Sequence, residues 1–360
     1  MSKFKLEFTL QQHTPIIHFQ SEQSGATLRA TELKPKLDRF LLEQVEGIPF
    51  KENANGHRSL DYRVTIEASK NQEKTQYQTY IPRRERNNAS LKEGSYFGDN
   101  KSVKATTVKI VFFSFNKTIL DAIGQYFDEF ISISSFGTRN NKGFGNFTNI
   151  KTDKHSFEEN LKKHYIVLKH KIEREPLKAI LSDYQRLKSG GMNGVKSKLM
   201  EYFLSKNIRW EKRWIKRKLK EKREAWFNDL KDEYHQDKDF NFQADEKYFF
   251  LRVLLGLAEH NEFLVNSNNR DKLIVKIENT DVDKDNKKVI ERFSSPILFK
   301  IFDDNIYMLL DKNEPIKQDI FDKSFKFTAY YKNNKRDSVE LGTLKTPSSF
   351  DIQKFLEEVL

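Results

Sequence analysis

The stretch of this sequence with the clearest chemistry is a glycine-rich run, GTRNNKGFGNF, at positions 137–147. It combines three glycines with two cations and an amide side chain: Gly137, Arg139, Asn140, Lys142, Gly143 and Gly145. Glycine permits positive φ angles and a close approach of the backbone to a bulky neighbour. Exposed backbone N–H groups beside an arginine and a lysine form an anion-binding nest, so the run predicts contact with a phosphodiester backbone. An ordinary turn between two strands is the alternative.

Two histidines have the residue type that acid–base catalysis needs. His13 and His18 flank the end of the first predicted strand, in the loop before the first predicted helix. An imidazole with a pKa of about 6.5 can act as general base on a 2′-hydroxyl in a metal-independent ribonuclease. A loop histidine that only forms hydrogen bonds is the competing interpretation, and the sequence leaves both open.

Other catalytic sites find little support in the residue pattern. The segment SGGMNGVKSK at 189–198 resembles a phosphate-binding P-loop, but Val195 separates the glycine from the lysine that should follow it. The eight histidines lack metal-ligand spacing, and the chain has no cysteine, which excludes disulfides, thiolate zinc sites and cysteine nucleophiles. We therefore expect no metal and no cofactor, and the pattern favours a noncatalytic protein over an enzyme.

The charge balance points to a polyanionic partner. The 360 residues are enough for two domains, and 64 basic against 52 acidic residues give a net charge of +12. This balance favours RNA or DNA as partner, with an anionic membrane surface in second place. Charged and apolar residues are mixed near the N-terminus, which predicts neither a signal peptide nor a membrane span. We expect a soluble, cytoplasmic protein with no membrane partner.

The first half of the chain predicts the elements of a ferredoxin-like, or RRM-like, domain. Alternating apolar residues predict strands at 3–10, 61–67, 76–81 and 105–115, and a further strand should follow the glycines. Helical spacing predicts a helix within 28–44, with Thr31 as N-cap and Pro35 near its start, and a second at 119–133. Although strand-like in composition, the run FISISS from Phe130 overlaps the end of that helix. The resulting order is a strand and a helix, then three strands, a second helix and a final strand. This is the element inventory of a ferredoxin-like domain and predicts the α+β class.

Two segments outside this pattern mix cations with aromatic residues. A loop at 82–102 contains Arg83, Arg84, Arg86, Tyr96 and Phe97. The segment 206–223 carries a net charge of +8 and predicts a helix whose apolar stripe packs inward, with arginines and Trp210 and Trp214 beside it. Because uncompensated positive charge repels itself, we expect a polyanion at this helix, contacted by Arg213 and Arg217. A solvated helix with core tryptophans is the alternative.

The second half otherwise predicts a strand at 165–172, a helix from 176, a largely apolar helix at 245–260 and a capped helix at the C-terminus. Strands are expected at 271–278, 289–301 and 305–311, the last two joined by a hairpin turn. The opening order of strand and helix repeats that of the first half. We therefore expect two tandem RRM-like domains, 1–155 and 156–360, with a basic helical insertion at about 177–260.

Three stretches resemble the RAMP superfamily of CRISPR effector subunits. The first, TPIIHFQSEQSGATLRATELKPKLDRF, is similar to the family's opening, in which a strand ending in Thr-Pro leads to a helix with a lysine and an arginine, here Lys34 and Arg39. The second is the glycine-rich run. The third pairs LRVLLGLAEH with VIERFSSPILFK, which carries Arg292, Ser295 and Pro296. Within the superfamily, the chain looks most similar to subunit one of the type III-B Cmr complex.

The resemblance implies a noncatalytic RNA-binding subunit of a type III CRISPR ribonucleoprotein. Such a subunit would contact guide RNA, target RNA or both near one end of the assembly, with other effector subunits as partners. Lys34, Arg39, Arg139 and Lys142 would then neutralise phosphates. Pro35 departs from the family pattern, which usually has glycine after the lysine. The alternative from the same superfamily is an endoribonuclease that processes repeat RNA, with His13 or His18 as base.

Overall fold

The computed structural model divides the chain into two compact units. Unit 1 comprises Met1–Leu181 and Leu298–Lys312, and unit 2 comprises Ser182–Ile297 and Asn313–Leu360. The structure describes residues 4–17, 27–68, 72–75, 102–105, 107–190, 196–233, 242–257, 262–264, 273–281, 293–331 and 334–360. The expected strand at 76–81, the residues of the 82–102 loop named above, His18 and Arg292 lie outside these ranges.

Strands and helices alternate through both units, so the predicted α+β class is confirmed. The strands are β1 Lys5–Gln12, β2 Ile16–Ile17, β3 Lys51–Glu52, β4 Arg58–Ser59, β5 Arg63–Ala68, β6 Gln72–Thr75, β7 Ser102–Ala105, β8 Thr107–Phe113, β9 Phe147–Asn149, β10 Tyr165–Ile172, β11 Ile208–Trp210, β12 Lys247–Phe249, β13 Glu262–Leu264, β14 Leu273–Asn279, β15 Leu298–Phe302, β16 Asn305–Asp311, β17 Ser324–Tyr331 and β18 Asn334–Lys345. The helices are α1 Ala30–Gln44, α2 Lys117–Ile133, α3 Lys154–His164, α4 Pro176–Lys188, α5 Lys198–Leu204, α6 Glu211–Lys222, α7 Glu224–Glu233 and α8 Ile352–Val359, with 3₁₀ turns at Arg252–Leu255 and Gln318–Ile320. No helix among the described residues is both long and apolar enough to cross a membrane.

The main sheet of unit 1 has the strand order β5-β8-β1-β9, and all its pairings are antiparallel. Side chains alternate between its two faces, as the period-two pattern predicts. Leu10, Ile110 and Phe112 lie on the buried face, in the same core as residues of α1 and α2. The second face is lined by polar residues for most of its length. Strands and helices of this sheet follow the order β-α-β-β-α-β along the chain.

The two helices that cover this sheet, α1 and α2, differ in how their N-termini are capped. Helix α2 is capped by Asn116, whose side-chain oxygen accepts a hydrogen bond from the Ile119 N–H at 3.3 Å. The N-cap of α1 is Arg29, without a side-chain bond, so the expectation that Thr31 caps this helix was wrong. Pro35 is the sixth helical residue, beyond the first turn in which a missing N–H costs nothing. The run from Phe130 belongs to α2, because helical packing outweighs its strand-like composition.

A second antiparallel sheet of unit 1 has the order β10-β16-β15. Strands β15 and β16 form the predicted hairpin, with a turn at Asp303 and Asp304. Its buried aromatic residues pack beneath α3, where the Phe157 and Phe302 ring centroids are 5.0 Å apart. The strand expected at 289–301 begins only at Leu298 within the described residues.

Unit 2 contains an antiparallel sheet, β13-β14-β17-β18, and a parallel pair, β11-β12. Helix α6 packs on this sheet through Trp214, whose ring centroid lies 5.3 Å from that of Phe327. The expected apolar helix at 245–260 was wrong: β12 and a 3₁₀ turn occupy its described part. A short apolar run is buried in either conformation, and pairing of 247–249 with 208–210 selects the strand. The basic segment likewise begins as a strand, and its helix starts only at Glu211.

Candidate nucleic-acid interface

The glycine-rich loop, residues 134–146, joins α2 to β9 in unit 1. Gly137 and Gly145 have φ angles of 80° and 65°, in the left-handed region that favours glycine. A Cβ on Gly137 would lie 2.7 Å from the carbonyl oxygen of Ile17, and one on Gly145 would overlap the carbonyl of Phe136. The bulky neighbour of these two glycines is therefore the protein's own backbone, which is a different reason for glycine from the one the sequence indicated.

Hydrogen bonds of the loop N–H groups are also made inside the protein. The Gly137 N–H donates to the two carboxylate oxygens of Glu32, at 2.9 and 3.2 Å. The Gly145 N–H donates to the Pro15 carbonyl at 2.9 Å, and the Gly143 N–H to the Asn140 carbonyl at 3.2 Å. A carboxylate of α1 thus occupies the position in which the sequence predicts an external anion. These bonds hold the loop to α1 and to the chain after β1.

Two lysines fix the start of the loop by bonding its carbonyl groups. Lys36 Nζ donates to the Ser135 carbonyl at 2.8 Å and forms an ion pair with Glu32 at 2.9 Å. Lys300 Nζ donates to the Ser134 carbonyl. Burial of Lys300, together with the charge of Lys36, lowers the Lys300 pKa well below its usual 10.5. Sequence reasoning missed both residues; no local signal could reveal Lys300, which lies 166 positions from its acceptor.

The cations of the loop itself are half-buried. Arg139 has a positive φ of 57°, an uncommon conformation for a residue with a side chain. Lys142 forms a β-bridge with Phe299, whose N–H donates to the Asn141 carbonyl at 3.0 Å. Arg139 and Lys142 both interact with other groups of the protein. The two cations therefore stand on a backbone that is fixed before any ligand binds.

Helix α1 presents its two predicted cations differently. Lys34 bonds to Asp38 at 3.0 Å and to the Leu60 carbonyl at 2.7 Å, and lies 3.7 Å from the Tyr62 ring centroid. Arg39 is exposed, and within the described parts of the chain it forms no hydrogen bond or ion pair. Arg39 is therefore available to a phosphate, whereas Lys34 would have to leave three internal contacts.

His13 is a buried residue of the core of unit 1, beside the loop. Its Nδ1 accepts a hydrogen bond from the Asp303 N–H at 3.0 Å, and its Nε2 lies 2.7 Å from Thr148 Oγ1. Burial lowers the pKa of His13 from 6.5 to about 4, against the raising effect of the Asp303 carboxylate. Since the ring is neutral, buried and bonded through both nitrogens, its geometry is that of a structural histidine and offers no free base to a 2′-hydroxyl.

In unit 2, the arginines of β11 and α6 pair with carboxylates. Arg213 Nε donates to both carboxylate oxygens of Glu246, at 2.9 and 3.1 Å, and Arg213 Nη2 lies 2.7 Å from Oε1. Arg209 lies 3.3 Å from the same carboxylate. Arg217 donates to Glu221 at 3.1 Å and to the Gln243 carbonyl at 3.1 Å. For Arg209 and Arg213 the expected uncompensated charge is offset in part by Glu246, which lies outside the 206–223 window. Arg217 pairs with Glu221, which that window already counts.

Nothing in the described parts of the chain resembles a metal centre, since no group of three or more acidic or histidine side chains is placed to hold an ion there. The candidate binding residues of unit 1 are instead basic side chains. Arg39, Arg139 and Lys142 lie on α1 and on the loop that Glu32 and Lys36 fasten to it. Basic residues on a fixed backbone suit an anionic ligand.

Comparison with known families defines the class to which this arrangement belongs. Residues 3–191 match the model of the Cmr1 N-terminal domain, and residues 194–360 match that of the Cmr1 C-terminal domain. The class is therefore the RAMP superfamily of CRISPR effector subunits, as the sequence motifs predict. Specifically, the chain belongs to the Cmr1 family, subunit one of the type III-B Cmr complex. No curated protein matches the chain.

Proposed function

We propose that this protein is a noncatalytic RNA-binding subunit of a type III-B Cmr complex, in which it contacts guide RNA, target RNA or both near one end of the assembly. The observation that carries the proposal is a net charge of +12 in a chain that matches Cmr1 models over both halves. A CRISPR effector supplies the polyanion that such a charge favours. Its other partners are the neighbouring Cmr subunits, and its proposed compartment is the cytoplasm.

The proposed RNA interface is the glycine-rich loop together with Arg39. Arg139, Asn140 and Lys142 provide two cations and an amide on a backbone held by Lys36 and Lys300. Preorganisation of this kind lowers the entropy that binding would otherwise cost. We leave Lys34, Arg213 and Arg217 out of the interface, because a phosphate would first have to displace their carboxylate partners. The roles of Gly137, Gly143 and Gly145 are then to fold the loop.

For the finer fold we propose the two tandem RRM-like domains, 1–155 and 156–360, that the sequence predicts. The β-α-β-β-α-β order around the β5-β8-β1-β9 sheet supports the first of them. The second is supported only by its opening strand and helix, β10 and α4.

The proposal is tested by the salt dependence of RNA binding. Full-length protein with Arg139→Asn and Lys142→Gln should bind a labelled single-stranded RNA more weakly, with the slope of log Kd against log salt reduced by up to about two. Asparagine suits position 139 because it tolerates a positive φ. Sequencing the RNA that co-purifies with the native protein then distinguishes guide from target strand.

The matched control removes the same charge elsewhere in unit 1. Lys162→Ala with Lys178→Ala neutralises two exposed lysines that pair with Glu159 and Glu175. The control should leave the salt slope close to that of wild type. Equal slopes for the loop variant and wild type would remove the loop from the interface, and a wild-type protein that binds no RNA would refute the proposal. Cleavage of repeat RNA by the wild type would instead favour the nuclease.

A further inference from the structure

The solvent-facing side of the main sheet of unit 1 carries an aromatic cluster at one end. Along β1, β5 and β8 the outward residues are mostly charged or polar, as at Glu7, Thr65 and Lys109. Phe113, the last residue of β8, is half-buried on this face, and Phe115 follows it with 78% of its surface exposed. Among the large apolar side chains in the described parts of the chain, Phe115 is the most exposed.

The position of Phe115 makes this exposure unusual. It directly precedes Asn116, the N-cap of α2, where an apolar side chain commonly packs against the fourth helical residue. Phe115 instead contacts Phe113, with ring centroids 5.0 Å apart and planes at 80°, and Phe4, at 5.5 Å and 62°. Edge-to-face contacts of this kind orient a ring and leave one of its faces open.

The strand register places two cations beside the aromatic cluster. Phe113 lies directly opposite Lys5 on β1 and directly opposite Arg63 on β5. Opposed residues on neighbouring strands are about 5 Å apart, so each cation is within reach of a ligand on the ring. Lys5 and Arg63 are exposed, and among the described residues neither has a hydrogen bond or an ion pair within 4 Å.

The acidic residues two positions from each cation along the chain are already paired. Glu7 forms an ion pair with Lys109 at 3.0 Å, and Asp61 forms one with Lys51 at 2.8 Å. Lys5 and Arg63 thus give this end of the sheet a positive charge next to exposed aromatic faces. Single-stranded nucleic acid is recognised by this combination, because bases stack on aromatic rings while cations follow the backbone.

We propose that Phe115 and Phe113, with Lys5 and Arg63, form a second RNA site that stacks an unpaired base and neutralises the phosphates beside it. This inference rests on the proposed RNA-binding function and adds a site on a different surface from the glycine-rich loop. A protein partner fits the cluster less well, since the fully buried centre of a protein interface is depleted of charged residues. The stacking is tolerant of sequence because every base has an aromatic face.

The test uses the full-length protein and short labelled oligouridine and oligoadenosine strands. Phe115→Ala should raise the Kd for both strands about tenfold, as expected for the loss of one stacked base. Phe115→Trp should retain wild-type affinity because it keeps an aromatic face. Phe115→Leu should lose as much affinity as Phe115→Ala, although it keeps an apolar side chain. A duplex of the same length should bind wild type and Phe115→Ala equally.

The control is Ile172→Ala, which removes an exposed apolar side chain of unit 1 that is 69% exposed and lies far from any predicted RNA contact in sequence. It should not change the Kd. Wild-type affinity in Phe115→Ala, or full affinity in Phe115→Leu, would overturn the stacking site, the latter because it would indicate apolar docking. If Phe115→Ala binds normally while the loop variant does not, the proposed function stands and only this site fails. Absence of binding by wild type would refute both.

Discussion

The glycine-rich loop and the basic helix α6 are both rich in cations, but their cations meet different acceptors. Lys300 bonds to the neutral carbonyl of Ser134, just after α2. Lys36 bonds to the Ser135 carbonyl and also pairs with the Glu32 carboxylate. Arg213 of α6 bonds instead to the carboxylate of Glu246. A carbonyl acceptor satisfies the donor and leaves its positive charge in place, whereas a carboxylate cancels that charge. Local charge density in a sequence therefore says little about the field that a partner meets.

The two units also differ in how a buried cation is accommodated. In unit 2 the pair Arg213–Glu246 is held at 2.7 Å with side chains only 8% and 3% exposed, and the Tyr248 hydroxyl donates to the same carboxylate. Removing one partner of such a buried pair leaves the other charge uncompensated and is strongly destabilising. In unit 1 the buried Lys300 bonds to the Ser134 carbonyl, and burial together with the charge of Lys36 lowers its pKa well below 10.5.

The largest expected effect comes from breaking the pair in α6. Glu246→Gln leaves Arg213 buried without a counter-charge and should lower the free energy of unfolding of unit 2 by about 3 kcal/mol. Tryptophan fluorescence isolates this unit, because all three tryptophans of the chain lie in it: Trp210, Trp214 and Trp226. Denaturant-induced unfolding followed by tryptophan fluorescence measures this change in stability.

Glu221→Gln is the matched control for this variant. Its carboxylate pairs with Arg217 and Lys218 on the exposed side of α6, with 42% of the Glu221 side chain exposed. Exposed pairs contribute at most about 1 kcal/mol, so the control should unfold close to wild type. Equal losses in the two variants would mean that Arg213 is held by packing and not by its counter-charge.

An effect of similar size should come from acid, and it separates the two units. His13 has a folded pKa of about 4, below the 6.5 of the free side chain. The unfolded chain therefore binds more protons between these values, and the stability of unit 1 should fall as the pH falls from 6.5 to 4, by roughly 3 kcal/mol in total. Circular dichroism of the whole chain at a series of pH values would report this loss.

The variant that checks the assignment is His13→Gln, which replaces the imidazole with an amide that can form hydrogen bonds but cannot titrate. Its stability should be lower at pH 7 and nearly flat between pH 6.5 and 4. The tryptophan signal of unit 2 should not follow the same curve. Burial raises the pKa of Glu246, but hydrogen bonds from Arg213 and Tyr248 outweigh burial and hold that pKa below its usual 4.5. Its contribution is therefore lost only at lower pH, and coincident curves for both units would contradict the assignment.

Much of unit 1 could be predicted from the sequence because its signals are local. Alternation in β1 and β8, helical spacing in α1 and α2, and the turn at Asp303 are all properties of neighbouring residues. The glycine positions were also informative, since Gly137 and Gly145 do adopt positive φ angles. The neighbour that requires glycine at position 137 could not be predicted from the sequence, because the fold brings Ile17 to Gly137 across a long stretch of chain.

The contacts that shape the candidate site and the basic helix are long-range, and no local sequence pattern indicates them. Asp303 meets His13 across 290 positions, and Lys300 meets Ser134 across 166. Glu246 lies 33 positions beyond Arg213, outside the basic window, so the charge of that window appeared uncompensated. Phe115 could have been singled out from sequence only by noting an apolar residue before an N-cap, a position at which packing is the ordinary outcome.

The smallest expected effect concerns Arg217, on the exposed side of α6. If carboxylates cancel the charge of this helix, Arg217→Ala should leave the salt slope of RNA binding at its wild-type value, whereas a phosphate contact would lower the slope by about one. Its loss of stability should be about 0.5 kcal/mol, as for other exposed pairs one helical turn apart. Arg39→Ala, which removes an exposed and unbonded arginine of α1, provides the contrast and should lower the slope by about one. Because both variants remove one positive charge, a reduced slope for Arg217→Ala with no change for Arg39→Ala would place the RNA on the basic helix instead.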